Sequence, residues 1–283
     1  MTEDSSRQVT FRIQRYNPEG AGDLNFNEFT IPATRGTTVL DGLIYIKENL
    51  DSTLAYRTSC RMSICGSCAI LINNYPHLAC HTQIEEFDSD TITVKPLANL
   101  PIIKDLVVDL TDFFEAHRLI KPYIIRPHDT KEMENPTNEY AMSPEELNAF
   151  LQFTYCIKCG ICVAACPTTV TDKKFPGPQA LAQCFRYCAD LRDDGEAERL
   201  PTASDGHGVF HCHFAGACSE VCPKGLDPGL AIQLLKKRLI SRAFGGSKKQ
   251  PLAQLIIPST ETKEKVAYPE FTVKQTKKGR KET

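Results

Sequence analysis

No stretch of this 283-residue chain approaches the roughly 20 apolar residues that a membrane-spanning helix needs, so the sequence predicts no span of its own. Charge of one sign is not in excess either. The net charge is -2, and no aromatic-rich basic patch is present, so nucleic acid is not expected as a partner. The glycines form no G-x-G-x-x-G loop and no nucleophile–base constellation stands out. No catalytic residue is therefore expected in this chain. No repeat of fixed period is visible. The first residues, Met1 to Arg7, carry Glu3 and Asp4 with no apolar run behind them. That is unlike a secretory signal or an Arg-rich transit peptide, and the expectation is a chain that starts in the cytoplasm.

Cysteine is what the chain has in abundance. It holds 13, in a composition that is otherwise that of a folded globular protein, 41% hydrophobic and 24% charged. Disulfide scaffolds are short, secreted and loop-rich, which this chain is not. Metal binding is the reading that fits.

The first hundred residues read as strands around one helix. Val9 to Arg15 alternates apolar and polar residues, and Phe29 to Pro32 continues as extended chain. From Thr38, apolar residues recur at helical spacing (Leu40, Leu43, Ile44, Ile46). Ala69 to Ile72 and Thr91 to Val94 read as strands, with Asn73-Asn74 as a turn. After Pro96 strand signals fade. An amphipathic helix is predicted over Lys104 to Leu119, another starting at Ser143 with a capping box to Glu146, a third over Pro178 to Leu191, and a fourth from Asp227-Pro228 to Gly245-Gly246. Residues 1–104 are thus expected as a mixed sheet-and-helix domain, 105–245 as a helical domain, and 246–283 as a lysine-rich tail.

Eleven of the cysteines fall into three sets. Cys60, Cys65, Cys68 and Cys80 follow C-x4-C-x2-C with a distant fourth, the spacing of plant-type [2Fe–2S] ferredoxins. Bridging sulfides accept backbone N–H hydrogen bonds, so the loop must wrap closely, and Gly66 lets the backbone approach. Four-cysteine zinc sites pair two short knuckles, and Cys60 to Cys65 is one residue too long for that; zinc or unrelated thiols is the competing reading. Cys156, Cys159, Cys162 and Cys166-Pro167 form C-x2-C-x2-C-x3-C-P, a run in which three cysteines hold one cluster and the fourth serves another. The complementary run is Cys212, Cys218 and Cys222-Pro223.

Overlaying the two runs pairs Cys212 with Cys156, Cys218 with Cys162 and Cys222 with Cys166, and leaves Ala215 where a middle cysteine would stand. The crossover rule then assigns Cys156, Cys159, Cys162 and Cys222 to a [4Fe–4S] cluster. Cys166, Cys212 and Cys218 remain as three ligands. They suit a [3Fe–4S] cluster, or a four-iron cluster with a non-cysteine ligand on its last iron. Cys184 and Cys188, one helical turn apart, are left over. They read as small buried hydrophobes, with a regulatory or ligating role as the alternative.

A plant-type domain followed by a bacterial-type domain with one complete and one three-cysteine site resembles the iron–sulfur subunits of succinate dehydrogenases and fumarate reductases. The likeness spans about residues 8–242. It includes RTSCRMSICGSCAILIN, KPLANLPIIKDLVVDL and CSEVCPKGLDP. It implies an α+β fold: an N-terminal plant-type ferredoxin (β-grasp) domain, then an all-α bacterial-type ferredoxin domain. It implies a partner flavoprotein carrying FAD, membrane anchor subunits and a quinone. The chain would sit peripherally on the cytoplasmic side of the cell membrane, with its [2Fe–2S] domain towards the flavin and its [3Fe–4S] end towards the membrane. In the family, residues around the three-iron loop contribute to the quinone pocket; Pro167, His213 and Ala215 hold the matching positions. His213 could carry protons or simply pack on the loop. Many ubiquinone-reducing members place a tryptophan five residues after the cysteine of the Cys-Pro. Here that residue is Thr171, and the chain has no tryptophan at all, a departure that favours a low-potential quinone or a fumarate reductase. A quinol:fumarate reductase running in the opposite direction and a soluble multi-cluster ferredoxin for another flavoenzyme are the alternative readings. A last feature is a run from Pro228 to Thr260 without one acidic residue, holding Lys236, Lys237, Arg238, Arg242, Lys248 and Lys249. It suits an anionic membrane surface or an ordinary solvated helix end.

Overall fold

The computed structural model describes residues 7–19, 24–126, 134–135 and 142–245; the expected tail, 246–283, lies outside the described residues. Packing divides the chain into two units. Among the described residues the first comprises those up to Leu110 together with Ile157–Ala165, and the second comprises Thr111–Cys156 and the residues from Cys166 onward. A single cut at 104/105 is therefore not what packing gives. The segment Ile157–Ala165, which carries two cysteines of the second run, belongs with the sheet-containing unit.

In the first unit, alternating strands and one helix build a five-stranded sheet. Strands β1 (Arg7–Arg15), β2 (Asn25–Ala33), β3 (Ala69–Ile72), β4 (Tyr75–Leu78) and β5 (Thr91–Lys95) lie in the order β2-β1-β5-β3-β4. β1 pairs antiparallel with β2 and parallel with β5, and β3 is antiparallel to β4 and β5. The β3–β4 connection is Asn73-Asn74, both with positive φ (49° and 66°), as the predicted hairpin turn requires. Helix α1 (Val39–Asn49) starts at Thr38, whose hydroxyl accepts from the Asp41 N–H while the Asp41 carboxylate accepts from the Thr38 N–H. Its inner face (Val39, Leu40, Leu43, Ile46) meets Val9, Phe11, Ile13, Ile31, Ile92 and Val94 in the core. At Gly42 the helix comes so close that an added Cβ would stand 2.4 Å from the Phe11 ring.

The predicted helix over Lys104–Leu119 forms only in its second half. Strands β6 (Ile102–Lys104) and β7 (Val107–Val108) make a short antiparallel hairpin, and helix α2 occupies Thr111–Leu119. Tertiary bonds override the helical pattern here. Asp105, with φ of 46° and 2% exposure, accepts from Arg15 Nε (3.0 Å), the Tyr16 N–H (3.1 Å) and the Ala55 N–H (2.9 Å). A left-handed turn fixed by three donors cannot continue a helix.

The described elements of the second unit are helices. They are α2, α3 (Pro144–Asn148), α4 (Leu151–Thr154), then α6 (Pro167–Thr171), α7 (Gly177–Ala189), α8 (Glu196–Ser204), α9 (Ala217–Glu220) and α10 (Pro228–Ala243), with α5 (Ile161–Ala164) in the first unit. Ser143 caps α3 through the capping box with Glu146, and the Asp227 carboxylate caps α10 by accepting from the Leu230 N–H at 2.8 Å. Helix α7 is the centre of the unit: all its residues except Arg186 and Ala189 are buried. A helix apolar almost all round belongs in a core, and α7 packs there with Phe150, Phe153, Leu200, Ile232 and Leu235. Its buried amides are partnered, Gln183 donating to the Phe153 carbonyl at 2.7 Å and Gln179 meeting His117 Nδ1 at 3.2 Å.

Candidate iron–sulfur centres

In the first unit, Cys80 follows β4, and Cys60, Cys65 and Cys68 lie on the loop between α1 and β3. Left-handed residues at Arg61 (56°), Ser63 (61°) and Gly66 (74°) curl it so that consecutive N–H groups turn inward, an anion-binding nest. Met62, Ile64 and Cys65 all aim their N–H groups at Cys60 Sγ (3.4, 3.3 and 3.3 Å); Ser63 aims its own at Cys80 Sγ (3.3 Å), and Cys80 at Cys68 Sγ (3.5 Å). These donors pull the Cys60 thiol down to about 6. Burial pushes Cys68 up to about 12, so it gives up its proton only to a metal.

Cys60 stands beside Cys65 and Cys68 beside Cys80, with Cys65 also within electrostatic reach of Cys68. Among the described residues no three Cys, His, Asp or Glu side chains close on a point as they would around a single metal ion. Two thiol pairs inside an N–H nest instead match a two-iron centre, in which each iron takes two cysteines. One more feature fits an anionic sulfur core: Ser63 Oγ is buried without a hydrogen-bond partner.

The middle of the second run is fastened to the same unit. Gly66 touches the Cys159 backbone: an added Cβ would lie 2.7 Å from Cys159 Cβ and 2.9 Å from its Cα. The Asn99 side chain, itself on a left-handed residue (64°), donates to the carbonyls of Val163 (3.2 Å) and Ala164 (2.9 Å) and so closes the end of α5. Leu97, Leu100 and Leu110 cover Gly160.

Residues 156–164 and 212–220 have the same local backbone. The third residue of each is left-handed, Lys158 at 54° and Phe214 at 56°. The fifth is a left-handed glycine, Gly160 (82°, −9°) and Gly216 (75°, −14°), and a four-residue helix follows in each, α5 and α9. Position four is Cys159 in one run and Ala215 in the other. In the second unit Cys218 stands within electrostatic reach of Cys166 and Cys212, and Cys222 within reach of Cys156. Burial, the neighbouring thiols working the same way, pushes Cys218 up to about 11, and burial also raises Cys222. Cys212 Sγ accepts from the Phe214 N–H at 3.4 Å. Cys184 and Cys188 lie in the helical core at 0% exposure; their mutual hydrogen bond, with burial, holds the Cys184 thiol well above its ordinary value.

Pro167, Thr171, His213 and Ala215 are all exposed. The His213 N–H donates to Thr168 Oγ1 (3.2 Å), which ties the Cys212 loop to α6. Sequence reasoning missed what accompanies them. Val170, Phe210 and Phe214 are 54%, 56% and 61% exposed. Asp172 meets His207 Nδ1 at 2.8 Å and His211 Nε2 at 3.5 Å. Exposed apolar residues beside cluster cysteines were legible in FHCHFAG; the Asp172 contacts, between residues 35 and 39 positions apart, were not.

The basic run is partly neutralised: Glu196 pairs with Arg238, which is 9% exposed, and with Arg242 (3.4 Å). Lys248 and Lys249 lie outside the described residues. Among the described residues no helix is long and apolar enough to cross a membrane.

Two family profiles match the chain, a 2Fe-2S iron-sulfur cluster binding domain over residues 10–115 and a 4Fe-4S dicluster domain over 152–226. The fumarate reductase iron-sulfur subunit of Mycobacterium tuberculosis is 43% identical over 237 residues, 84% of this chain and 95% of the relative. That of Haemophilus influenzae is 42% identical over 237 residues, 81% and 91%. The succinate dehydrogenase iron-sulfur subunit of Paracoccus denitrificans is 36% identical over 234 residues, 82% and 88%. Among solved structures, a chain of the Mycobacterium smegmatis Sdh1 complex in the apo form aligns with a TM-score of 0.75 at 28% identity, covering 85% of this chain and 98% of that one.

Proposed function

This chain belongs to the family of iron–sulfur subunits of succinate dehydrogenases and fumarate reductases, and from that premise we propose its working parts. It is an electron-relay subunit. It passes electrons between the FAD of a flavoprotein partner and a membrane quinone through a [2Fe–2S], a [4Fe–4S] and a [3Fe–4S] cluster. The clusters supply one-electron carriers between two-electron partners. The chain's own residues hold them, keep water from them and set their potentials.

Cys60, Cys65, Cys68 and Cys80 hold the two-iron cluster; Cys156, Cys159, Cys162 and Cys222 hold the four-iron cluster; Cys166, Cys212 and Cys218 hold the three-iron cluster. The N-terminal sheet-containing part acts as the β-grasp ferredoxin domain, the helical part that follows as the dicluster domain, and 246–283 as a basic tail. Pro167, Thr171, His213 and Ala215 line the quinone side, where anchor subunits bind, and the chain is peripheral on the cytoplasmic face of the membrane. The higher identity to fumarate reductase subunits, together with Thr171, favours a low-potential quinone.

The observation that carries this reading is the shared backbone of residues 156–164 and 212–220, with alanine where the middle thiolate of the second run would stand. Iron analysis and paramagnetic resonance of the assembled complex test it. The expected result is about nine irons per chain, two, four and three, with an oxidised three-iron signal and a reduced rhombic two-iron signal. Stoichiometric zinc without visible charge-transfer absorption overturns it.

A further inference from the structure

Ser63 is the one residue of the first cysteine loop whose side chain is buried without a purpose inside the chain. It is 5% exposed, between neighbours that point outward, Met62 at 69% and Ile64 at 56%. Its N–H is used, donating to Cys80 Sγ at 3.3 Å, but its hydroxyl has no hydrogen-bond partner. Leaving a buried hydroxyl unpaired is costly, and native proteins rarely tolerate it. Serine also gains nothing from the backbone here, since a φ of 61° suits glycine better. The hydroxyl therefore needs an acceptor, and the groups the loop encloses are sulfurs.

We propose that the Ser63 hydroxyl donates a hydrogen bond to a sulfur of the two-iron centre and thereby raises its reduction potential. This rests on the assignment of Cys60, Cys65, Cys68 and Cys80 as that centre's ligands. Reduction adds one negative charge to the cluster, spread over its sulfurs. A donor aimed at sulfur stabilises the reduced form more than the oxidised one, so the potential moves upward. Ser63 does not bind iron. It sets how readily the centre holds the electron exchanged with the flavoprotein.

The test is a redox titration of the assembled complex, following the reduced two-iron resonance signal in wild type, Ser63→Gly, Ser63→Ala and Ser67→Ala. Both Ser63 variants remove the hydroxyl. Glycine also relieves the left-handed backbone, whereas alanine keeps the Cβ. The two should show the same shift to lower potential, with iron content and the other two centres unchanged. Ser67, an exposed hydroxyl in the same loop, should give no shift. An unchanged potential in both Ser63 variants overturns the proposal, as does a shift in only one, which would trace it to backbone relaxation. A wild-type protein lacking any two-iron signal would instead overturn the ligand assignment.

Discussion

At the scale of single residues, chemistry turns on which side chain stands at a position the backbone has already defined. Ala215 is the case in point. Its loop is shaped like the one that presents Cys159, so a thiol placed there points where a ligand is needed. Ala215→Cys should convert the three-iron centre to a four-iron centre of lower potential, because the added thiolate brings negative charge, and quinone turnover should fall with it. Loss of the oxidised three-iron signal is the measurement; full retention of that signal would contradict the overlay. His77 gives a pH dependence. It sits on β4 against Tyr75, and burial, aided by the nearby His81, pushes its pKa down to about 4. The folded state therefore disfavours the proton that the unfolded chain accepts near 6.5. Stability from neutral His77 is complete above about pH 6.5 and is lost as pH falls from there towards 4, at about 1.4 kcal/mol per unit. His77→Gln should flatten unfolding free energy between pH 7.5 and 5.5 by about 1.4 kcal/mol. A wild-type slope in the variant would show that this histidine is not the group responsible.

Elements are held in place by a few polar side chains as much as by the core. Arg199, on α8, has 0% exposure and pairs with Asp193, also at 0% (2.6 Å). Its remaining donors reach the carbonyls of Ile120, Lys121 and Tyr123, the chain just beyond α2. Arg199→Met would leave the buried Asp193 carboxylate without its counter-charge, held only by the Ile125 and Gly195 N–H groups, and would take a donor from several carbonyls. The expected cost is about 3–5 kcal/mol in denaturant unfolding. Glu198→Gln, which breaks the half-exposed pair with Lys121, should cost at most about 1 kcal/mol. Equal losses in the two variants would mean that burial does not set the value of these pairs. The same principle explains the shortened α2. Helical periodicity was real in KDLVVDLTDFFEAHRL, but Asp105 was already committed to Arg15, Tyr16 and Ala55.

For the molecule as a whole, the two units differ in how their cysteines are protected. In the first unit the sulfurs sit within a nest of N–H groups on a loop braced by the sheet, and Gly66 and Asn99 fasten Ile157–Ala165 to it. In the second, α7 forms the core that the cysteine loops surround, and it also absorbs Cys184 and Cys188 as packing residues. The basic run contributes less free charge than its composition suggests, because Glu196 is shared by Arg238 and Arg242. Lys236 and Lys237 are the members left to any anionic surface among the described residues.

Cysteine spacing and the helix starts at Ser143 and Asp227 were legible in the sequence because each depends on neighbours within about one turn or loop. Strands Val9–Arg15 and Ala69–Ile72, the Asn73-Asn74 turn, the Ser143–Glu146 capping box and the absence of a thiol at position 215 all needed nothing further. Short helices such as Ile161–Ala164 and Ala217–Glu220 were missed because four residues carry no periodicity. What only the tertiary structure decided were contacts between residues far apart in the chain: Gly66 against Cys159, Asn99 on Val163 and Ala164, Asp172 on His207 and His211, and Glu196 on Arg238. Local pattern fixes which groups can bind iron. Burial by the folded chain decides which thiols hold their protons and leaves the Ser63 hydroxyl in search of an acceptor.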